Sequence, residues 1–441
     1  MKRTNNQVTS MNTDANRPQP PDQLAPLADT RPAPAIRLSF VFSLAAITAI
    51  TATAIDIALP GHPAIGRSFG HSAEAAGVIV SAYFVGYGPG QLVWGPLSDR
   101  FGRMPPLYVG IIGFLLMSIL CATATSLEAL SLYRMMQGIF GGCGPVIARA
   151  ITRDQGGGKA TAKLMATIMM IFGAAPLLAP LVGSSILLVA DWRFIFWFLV
   201  AFGLALLLVS YFVLAPAAKA HSANKPARAP LSFSLIKRLF MGRDFLMCTA
   251  AISLIFFGYS SMLGVGAAMT ELHYGTSPQV FGILFAIAAS AVIIGPAISR
   301  RIIGTRSLRA PLRLAASIAG VIGIGFLLAS FTLVPLWLLW TLVFFYVLSF
   351  GIVMPISNTL ALEAAGDAAG TASSLLSALP TFAAALGAAA SSWVDSAAGP
   401  GLFKDGYLAL CFMMAFGGIT TSAVIFLFGG EKKTATGLTS N

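Results

Sequence analysis

Charged residues are scarce in this chain of 441 residues. Asp, Glu, Lys and Arg make up 10% of it, whereas hydrophobic residues make up 56%. Soluble domains carry roughly 25% charged residues, so this composition excludes an ordinary soluble fold. The apolar residues also cluster in long blocks, and the chain therefore requires a lipid bilayer as its surroundings.

Cysteine is also rare. Cys121, Cys143, Cys248 and Cys411 each fall in a different apolar block, with no Cys-x-x-Cys pair and no histidine nearby in sequence. This pattern argues against a disulfide or a metal site and indicates small core residues. The sequence also lacks a catalytic dyad, so we expect neither an enzyme nor a cofactor.

Signals for binding nucleotides or nucleic acids are lacking as well. The run Gly156-Gly157-Gly158-Lys159 lacks the spacing of a phosphate-binding loop and follows no predicted strand. The net charge is +12, but the sequence has no basic motif in which aromatic residues that could stack on bases alternate with Lys and Arg. This absence argues against a nucleic-acid partner. We attribute this charge to loops that lie beside anionic lipid headgroups.

Twelve apolar runs are long enough to cross a membrane as helices, each of which needs about 20 mostly apolar residues. The predicted spans are 39–60, 75–97, 105–125, 128–149, 162–189, 193–214, 245–269, 279–299, 311–332, 335–361, 370–394 and 403–428. The sequence therefore predicts an all-α integral membrane protein with twelve transmembrane helices.

The positions of lysine and arginine orient these helices. With the N-terminus inside, only Arg67, Arg193 and Lys404 of the 28 Lys and Arg face outward, while Arg134 lies within a span. Short cytoplasmic loops carry the excess of positive charge, so we expect both termini in the cytoplasm. Because no apolar run precedes residue 38, we expect no cleaved signal peptide.

The chain divides into two six-helix halves. A polar, basic and proline-containing segment at 215–244 separates the two sets of six spans. In addition, Gly95-Pro96-Leu-Ser-Asp99-Arg100 aligns with Gly295-Pro296-Ala-Ile-Ser299-Arg300. Duplicated halves usually enclose a site near the bilayer midplane and expose it alternately to each side. We predict a disordered cytoplasmic tail at 1–37 and a first half at 38–214. A cytoplasmic linker at 215–244, a second half at 245–428 and a cytoplasmic tail at 429–441 follow.

A charged loop follows span 2. It contains Gly95, Asp99, Arg100, Gly102 and Arg103. We expect Asp99 at a helix N-terminus, where the macrodipole favours an anion by roughly 0.3–1 kcal/mol, and Arg103 within reach of an acid at a neighbouring helix end. The glycines allow close approach of the helices. The alternative is a pair of solvated loop charges of little energetic value.

Two charged residues fall inside predicted spans. Arg134, in Leu132-Tyr133-Arg134-Met-Met-Gln137-Gly138, lies in span 4, where an arginine costs about 2.5–3.5 kcal/mol near the bilayer centre. Asp56, in Asp56-Ile-Ala-Leu-Pro60, is the only carboxylate well within a predicted span and has a similar depth. Burial disfavours a charged carboxylate and a nearby guanidinium favours it, so movement between the two environments would transfer a proton. The alternatives are a snorkelling arginine and a carboxylate at the external interface.

These motifs resemble the major facilitator superfamily, and within it the twelve-span drug:proton antiporters of the bicyclomycin and chloramphenicol resistance type (Bcr/CflA). The resemblance covers about residues 38–428 and is stronger in the first half. It implies that the charged loop is a latch between the halves, with Asp154 as the partner of Arg103. It also implies that Asp56, in an Asp-x-x-Leu-Pro pattern, couples protons or cations, and that Arg134 is functional.

Span 5 contains a further motif of this family. Its residues Gly173, Pro176, Pro180 and Gly183 resemble the antiporter motif, with Ala179-Pro180 where Gly-Pro is usual. Small residues let helices approach closely, and proline kinks a helix. The resemblance therefore favours antiport over symport.

The resemblance implies a proton-driven exporter of small amphipathic compounds, drugs included, in the inner (cytoplasmic) membrane of a bacterium. We expect it to bind a small-molecule substrate and protons and to function as a monomer. The alternative is a proton-coupled or facilitative transporter of a specific metabolite such as an amino acid, a sugar or a derivative.

The second half offers few polar candidates for a substrate site. Aromatic residues and methionine build forgiving apolar pockets, although most such residues pack in a core or face lipid. We expect only a minority of the following to line a pocket: Phe256, Phe257, Tyr259, Met262, Phe281, Phe285, Tyr346, Asn358 and Phe382.

Overall fold

The computed structural model describes residues 38–154, 164, 167–168, 171–216, 233–303, 309–397 and 406–429. The described segments form α-helices joined by short turns, some of them 3-10 or π-helical, which confirms the predicted all-α class. The predicted tail at 1–37, the predicted tail at 429–441 beyond Gly429, and residues 217–232 of the predicted linker lie outside the described residues.

The first set of helices runs from α1 to α8. These are α1 (Leu38–Asp56), α2 (His62–Ser68), α3 (Val78–Phe101), α4 (Met104–Ala122), α5 (Leu127–Gly141), α6 (Cys143–Asp154), α7 (Ala175–Val189) and α8 (Arg193–Val209). Short 3-10 turns at Leu59–Gly61 and Glu74–Gly77 flank α2, and a π-helical turn at Ser210–Leu214 extends α8.

The second set of helices runs from α9 to α15. These are α9 (Phe233–Met241), α10 (Arg243–Ala268), α11 (Pro278–Ile303), α12 (Arg309–Ala329), α13 (Leu336–Ala365), α14 (Ala369–Ala397) and α15 (Tyr407–Phe428). A π-helical turn at Met269–His273 extends α10.

Nine helical segments of the described residues are long and apolar enough to cross a membrane. They coincide with nine of the twelve predicted spans. The other three predicted spans coincide with α3, with α5 and α6 together, and with α7. The helix α3 contains two internal prolines, Gly142 separates α5 from α6, and α7 has 15 residues as described. The fold is therefore that of a multi-pass membrane protein.

Glycines bring helices together at comparable places in the two sets. In the first set, a Cβ at Gly86 of α3 would collide with the carbonyl oxygen of Met135 in α5. In the second set, a Cβ at Gly295 of α11 would lie 3.0 Å from the carbonyl oxygen of Leu348 in α13. Small residues permit such backbone contact, so each set contains a pair of helices in close contact, although Gly86 and Gly295 are not the residues that the sequence repeat aligns.

The two sets of helices pack against each other along α3 with α14 and along α7 with α11. Gln91 Nε2 donates a hydrogen bond to Thr381 Oγ1 at 3.3 Å, across the first of these contacts. We call the end of the bundle that carries the connection between α3 and α4 the latch end. The other end, which carries α2 and the π-helical turn after α10, is the opposite end.

Candidate functional site

Asp56 is the last residue of α1. It is 5% exposed, and within the described part of the chain its carboxylate has neither a hydrogen-bond donor nor an ion-pair partner. The phenol of Tyr259 in α10 lies close enough to interact electrostatically with it. A buried carboxylate requires a proton or a cation to offset its lost hydration, so Asp56 is suited to exchange one for the other.

Arg134 lies in α5 and is fully buried. Its NH1 donates hydrogen bonds to the carbonyl oxygen of Ala54 at 3.1 Å and to Oε1 of Gln137 at 2.6 Å. Its guanidinium carbon is 4.6 Å from the centre of the Tyr83 ring, within the range of a cation–π interaction. The structure thus contradicts the snorkelling alternative, because a snorkelling side chain would reach the membrane surface.

Asp56 and Arg134 do not form an ion pair in this structure, although both were expected at a similar depth. The guanidinium turns toward the interior of the first set, where it binds the backbone of α1 at Ala54. The carboxylate, two residues further along α1, lies within electrostatic range of Tyr259 of the second set. Arg134 therefore contacts the turn of α1 that carries Asp56 without neutralising its charge.

The charged residues at the latch end form a cluster. Arg103 Nε donates to Asp154 Oδ2 at 2.8 Å, and Arg103 NH1 donates to Ser98 Oγ at 3.0 Å and to Asp99. Burial disfavours the charged guanidinium, but the hydrogen bonds to Asp154 and Asp99 outweigh it and raise the pKa of Arg103. The structure brings Arg103 and Asp154 together as expected, and the cluster connects the ends of α3, α4 and α6.

The expected position of Asp99 is wrong. It lies in the last turn of α3, which continues through Pro96 to Phe101. The carbonyl groups at this end of a helix disfavour an anion, so the ion pair with Arg103 offsets an unfavourable site. Gly102 follows with φ of +82°, a conformation that only glycine adopts readily. It forms the turn between the end of α3 and Arg103, the residue before α4.

Two residues of the charged loop lie outside the cluster. Arg100 is exposed, with its guanidinium carbon 5.2 Å from the centre of the Phe101 ring. Gly95 is loosely packed, since a Cβ there would meet only Val146, at 3.9 Å. A role for either in the latch remains a prediction.

The antiporter-like motif lies at the start of α7. Gly173 is in the turn before the helix, Pro176 is in its first turn and Pro180 is internal. A Cβ at Gly183 would collide with the carbonyl oxygen of Ile57, the residue after Asp56. The motif thus places α7 directly against the turn that carries Asp56.

The same helix also contacts the second set. Gln279 Nε2 of α11 donates to the carbonyl oxygen of Ser184 in α7 at 3.0 Å. A Cβ at Gly282 would lie 3.1 Å from the carbonyl oxygen of Pro180. Movement between α7 and α11 would therefore be transmitted to the Asp56 turn.

An ion pair connects the two sets at the opposite end. Arg67 NH2 lies 2.9 Å from Glu271 Oε1, and the two residues are 204 positions apart in the chain. Nearby, a Cβ at Gly77 would lie 2.7 Å from the carbonyl oxygen of Gly264, and His62 is enclosed where α2 meets α10. The two sets are closed against each other here. No sequence pattern predicts this ion pair, because Arg67 and Glu271 each resemble an isolated charge in a loop.

Four rings form an aromatic cluster at the boundary of the two sets: Phe84 of α3, Phe256 and Tyr259 of α10, and Phe350 of α13. Tyr259 and Phe350 stack with centroids 4.9 Å apart, and Phe256 lies 5.4 Å from Phe350. Phe84 meets Phe256 edge to face at 5.6 Å. The sequence pointed to Phe256 and Tyr259 but not to Phe84 or Phe350.

Other aromatic candidates of the second half belong to its core. Phe281 and Phe285 are 1% exposed and pack on each other, while Tyr346 is fully buried and donates to the carbonyl oxygen of Ile255 at 3.1 Å. These side chains support the helices that carry the aromatic cluster.

Residues 41–388 match the family model of the Major Facilitator Superfamily. The chain belongs to this superfamily. The uncharacterized MFS-type transporter YdgK of Bacillus subtilis is 33% identical over 346 residues, which cover 78% of this chain and 86% of YdgK. The bicyclomycin resistance protein homolog of Haemophilus influenzae is 26% identical over 382 residues, covering 86% of this chain and 95% of that protein.

The multidrug resistance protein MdtL of Escherichia coli is a further relative of this transporter. It is 30% identical over 216 residues, which cover 49% of this chain and 55% of MdtL. Together with the bicyclomycin resistance homolog, it confirms the resemblance to the Bcr/CflA type. Membership of the superfamily makes the chain a multi-pass membrane transporter of small molecules rather than an enzyme.

Solved structures share the fold of this transporter. A D-xylose–proton symporter has a TM-score of 0.65 and 16% identity, with 89% of this chain and 98% of the symporter covered. The nucleoside transporter NupG has a TM-score of 0.68 and 11% identity, with coverage of 88% and 100%. At these identities the likeness concerns the fold alone.

Proposed function

We propose that this transporter is a proton-coupled antiporter that exports small amphipathic compounds, drugs included, by alternating access. Twelve helices form two halves at 38–214 and 245–428, with the tails and the linker at 215–244 in the cytoplasm. The protein lies in the inner membrane and functions as a monomer. The names of the bicyclomycin and multidrug resistance relatives support this proposal, and the uneven distribution of Lys and Arg among the loops supports the orientation.

The environment of Asp56 carries the proposal. Its buried carboxylate lacks a cationic partner within the described residues and faces the boundary between the two sets of helices. In this environment the protonated form is favoured because the charged form is poorly hydrated. Opening of the boundary at one end admits water and releases the proton, and closure restores the apolar surroundings. Asp56 thus binds a proton on one side of the membrane and releases it on the other.

Neighbouring motifs would connect this proton to the movement of the halves. Arg134 holds the Asp56 turn through the carbonyl of Ala54. At the latch end, the cluster of Arg103, Asp99 and Asp154 would bias the balance between inward-open and outward-open states.

Proton entry supplies enough energy for export. One charge moving through 100 mV releases about 2.3 kcal/mol, and one pH unit adds about 1.4 kcal/mol. Together, roughly 3.7 kcal/mol would sustain a concentration gradient of a few hundredfold for each proton.

The test uses inverted membrane vesicles with an acidic interior and a panel of cationic, neutral and zwitterionic drugs and polar metabolites. We expect drugs to trigger proton release from wild-type vesicles and to have no such effect with Asp56→Asn. Asp191→Asn, which removes an exposed loop carboxylate, is the matched control and should retain the response. Proton release that survives in Asp56→Asn would remove Asp56 from this role. Wild-type transport without proton movement would indicate a facilitator, and a response only to metabolites would favour the metabolite transporter.

A further inference from the structure

His62 is a buried polar residue that the proposed mechanism leaves unused. It is the first residue of α2 and is 1% exposed, and neither Nδ1 nor Nε2 has a hydrogen-bond partner among the described residues. A neutral imidazole ring offers one donor and one acceptor, and leaving a buried polar group without partners is costly. The arrangement in this structure therefore contains a ring that water would satisfy better.

The first set of helices holds α2 in place. Pro63 lies in the first turn of α2, where its missing N–H group costs no helical hydrogen bond. A Cβ at Gly61 would lie 3.0 Å from Cδ1 of Ile195 in α8. Trp192 Nε1, just before α8, donates a hydrogen bond to Ser68 Oγ at 3.0 Å. His62 therefore moves with the first set.

The second set covers His62 at the opposite end. The helix α2 packs against α10, and the carbonyl group of Gly264 in α10 lies within range of the His62 ring without forming a hydrogen bond. The same carbonyl oxygen would lie 2.7 Å from a Cβ at Gly77, which belongs to the first set. Separation of the two sets at this end would break these contacts and admit water to the ring.

A positive charge on His62 would have no partner among the described residues while the sets are closed. No carboxylate of these residues forms a hydrogen bond or an ion pair with the ring, and Arg134 lies within electrostatic range and repels such a charge. Taking an unpaired charge out of water costs far more than burying a neutral ring. The elements around His62 carry two ion pairs, Arg67 with Glu271 and Asp191 with Arg193. Other titratable groups on these elements are Asp56, Glu74, Arg134 and Tyr259.

We propose that His62 is a proton-binding site of the state that is open at the opposite end. The ring is neutral while α10 covers it, and it takes up a proton from water on that side once the sets separate. Because a ligand stabilises the state that binds it, acid on that side drives that end open. This inference rests on the alternating access of the proposed function but not on proton exchange at Asp56.

The titration of imidazole in water sets the size of the effect, since half of the rings are protonated near pH 6.5. In the open state, about one ring is protonated for every ten neutral rings at pH 7.5, and about ten for each neutral ring at pH 5.5. The ratio of open to closed molecules should therefore rise about tenfold between pH 7.5 and pH 5.5. Ordinary carboxylates titrate below this range.

The test measures the distance between two spin labels on the purified full chain in lipid nanodiscs. The labels are attached to cysteines that replace Thr125 of the first set and Ser277 of the second set, both exposed at the opposite end, while the four native cysteines are buried. Pulsed electron paramagnetic resonance gives the populations with short and long distances, which are the closed and open molecules. The parent chain carries Asp56→Asn, because Asp56 is itself proposed to bind a proton.

Two substitutions separate the proton of His62 from its polarity. His62→Gln stays polar but binds no proton, so its ratio of open to closed molecules should be the same at pH 7.5 and pH 5.5. His62→Leu also removes the unpaired polar ring, so its ratio should be independent of pH and about fivefold or more below that of the parent chain at pH 7.5. Thermal unfolding shows whether each variant folds, and the parent chain is a test by itself.

His71 and His273 are the matched controls. His71, in the turn after α2, is exposed and lies 3.9 Å from Glu128 in α5. His273, in the π-helical turn after α10, stacks on Tyr407 of α15 with ring centroids 4.8 Å apart. Neither of these contacts crosses the boundary between the sets, so His71→Gln and His273→Gln should keep the tenfold rise.

Three outcomes would overturn the proposal. The first is a parent chain whose ratio stays constant between pH 7.5 and pH 5.5. The second is a rise that persists in His62→Gln and His62→Leu. The third is a rise that His71→Gln or His273→Gln removes as completely as His62→Gln does. Failure of the antiport function is distinguishable, because the rise that depends on His62 would then remain while vesicles showed no drug-triggered proton release.

Discussion

The ion pair between Arg67 and Glu271 leads to a quantitative prediction about the opposite end of the bundle. It joins the two sets of helices at 2.9 Å, with 55% of the Arg67 side chain and 15% of the Glu271 side chain exposed. Exposed pairs contribute about 0.2–1 kcal/mol, and the partial burial of Glu271 favours the upper part of this range. Arg67→Gln should therefore raise the fraction of molecules open at this end about two- to fivefold.

A buried reporter residue measures this opening. Ala76 is fully buried in the 3-10 turn next to Gly77, which packs on Gly264 of the second set. A cysteine at Ala76 would react with a membrane-impermeant maleimide only when the sets separate, and the four native cysteines are buried. We expect labelling to be two to five times faster in Arg67→Gln, and the difference to shrink at high salt because the charges are screened.

Two variants make this prediction refutable. Asp191→Asn removes an ion pair with Arg193 that lies within the first set, so it should leave labelling unchanged. Arg67→Glu alone should speed the labelling, and the charge swap that combines it with Glu271→Arg should restore the slow labelling of the wild type. An unchanged rate in Arg67→Gln, or a swap that labels as fast as the single variant, would show that this pair does not hold the two sets together.

Two further substitutions test the packing and the latch. Gly183→Ala should destabilise the protein by about 1–3 kcal/mol, the usual cost of overpacking, and should impair transport because it displaces the Asp56 turn. Gly95→Ala, whose Cβ has room, should leave the thermal unfolding unchanged. Arg103→Gln should cost about 1–3 kcal/mol because it removes the charged hydrogen bonds from the Arg103 guanidinium to Asp154 and Asp99. Exposed Arg100 is the control, and equal destabilisation by Arg100→Gln would contradict the assigned cluster.

Local composition accounts for most of the correct predictions. Long apolar runs predicted the nine described helical segments that are apolar enough to cross a membrane. The length of an apolar run is a property of each segment alone. The contact of Arg103 with Asp154 agrees with what the family resemblance implied. The expected position of Asp99 was wrong because span 2 was predicted to end at residue 97, whereas α3 continues to Phe101. A helix in a bundle tolerates proline when its neighbours satisfy the freed backbone groups.

Long-range contacts could not be foreseen in the same way. The sequence indicated that Asp56 and Arg134 lie at a similar depth, which would allow them to interact. In the structure Arg134 binds the carbonyl oxygen of Ala54, and Asp56 lies within electrostatic range of Tyr259. The partners of a buried side chain depend on which side of its helix faces the neighbouring helix. The spans are apolar on all sides, so their sequences carry little periodicity that would indicate this side.

The sequence by itself determined that this chain crosses a membrane as helices, which motifs it shares with its superfamily and which few charges are buried. Only the tertiary structure decided which of those charges have partners and which rings meet at the boundary. The physical reason is that insertion into a bilayer depends on the composition of each helix. Contacts between residues about 200 positions apart depend instead on helix rotation and on the close approach that glycines permit.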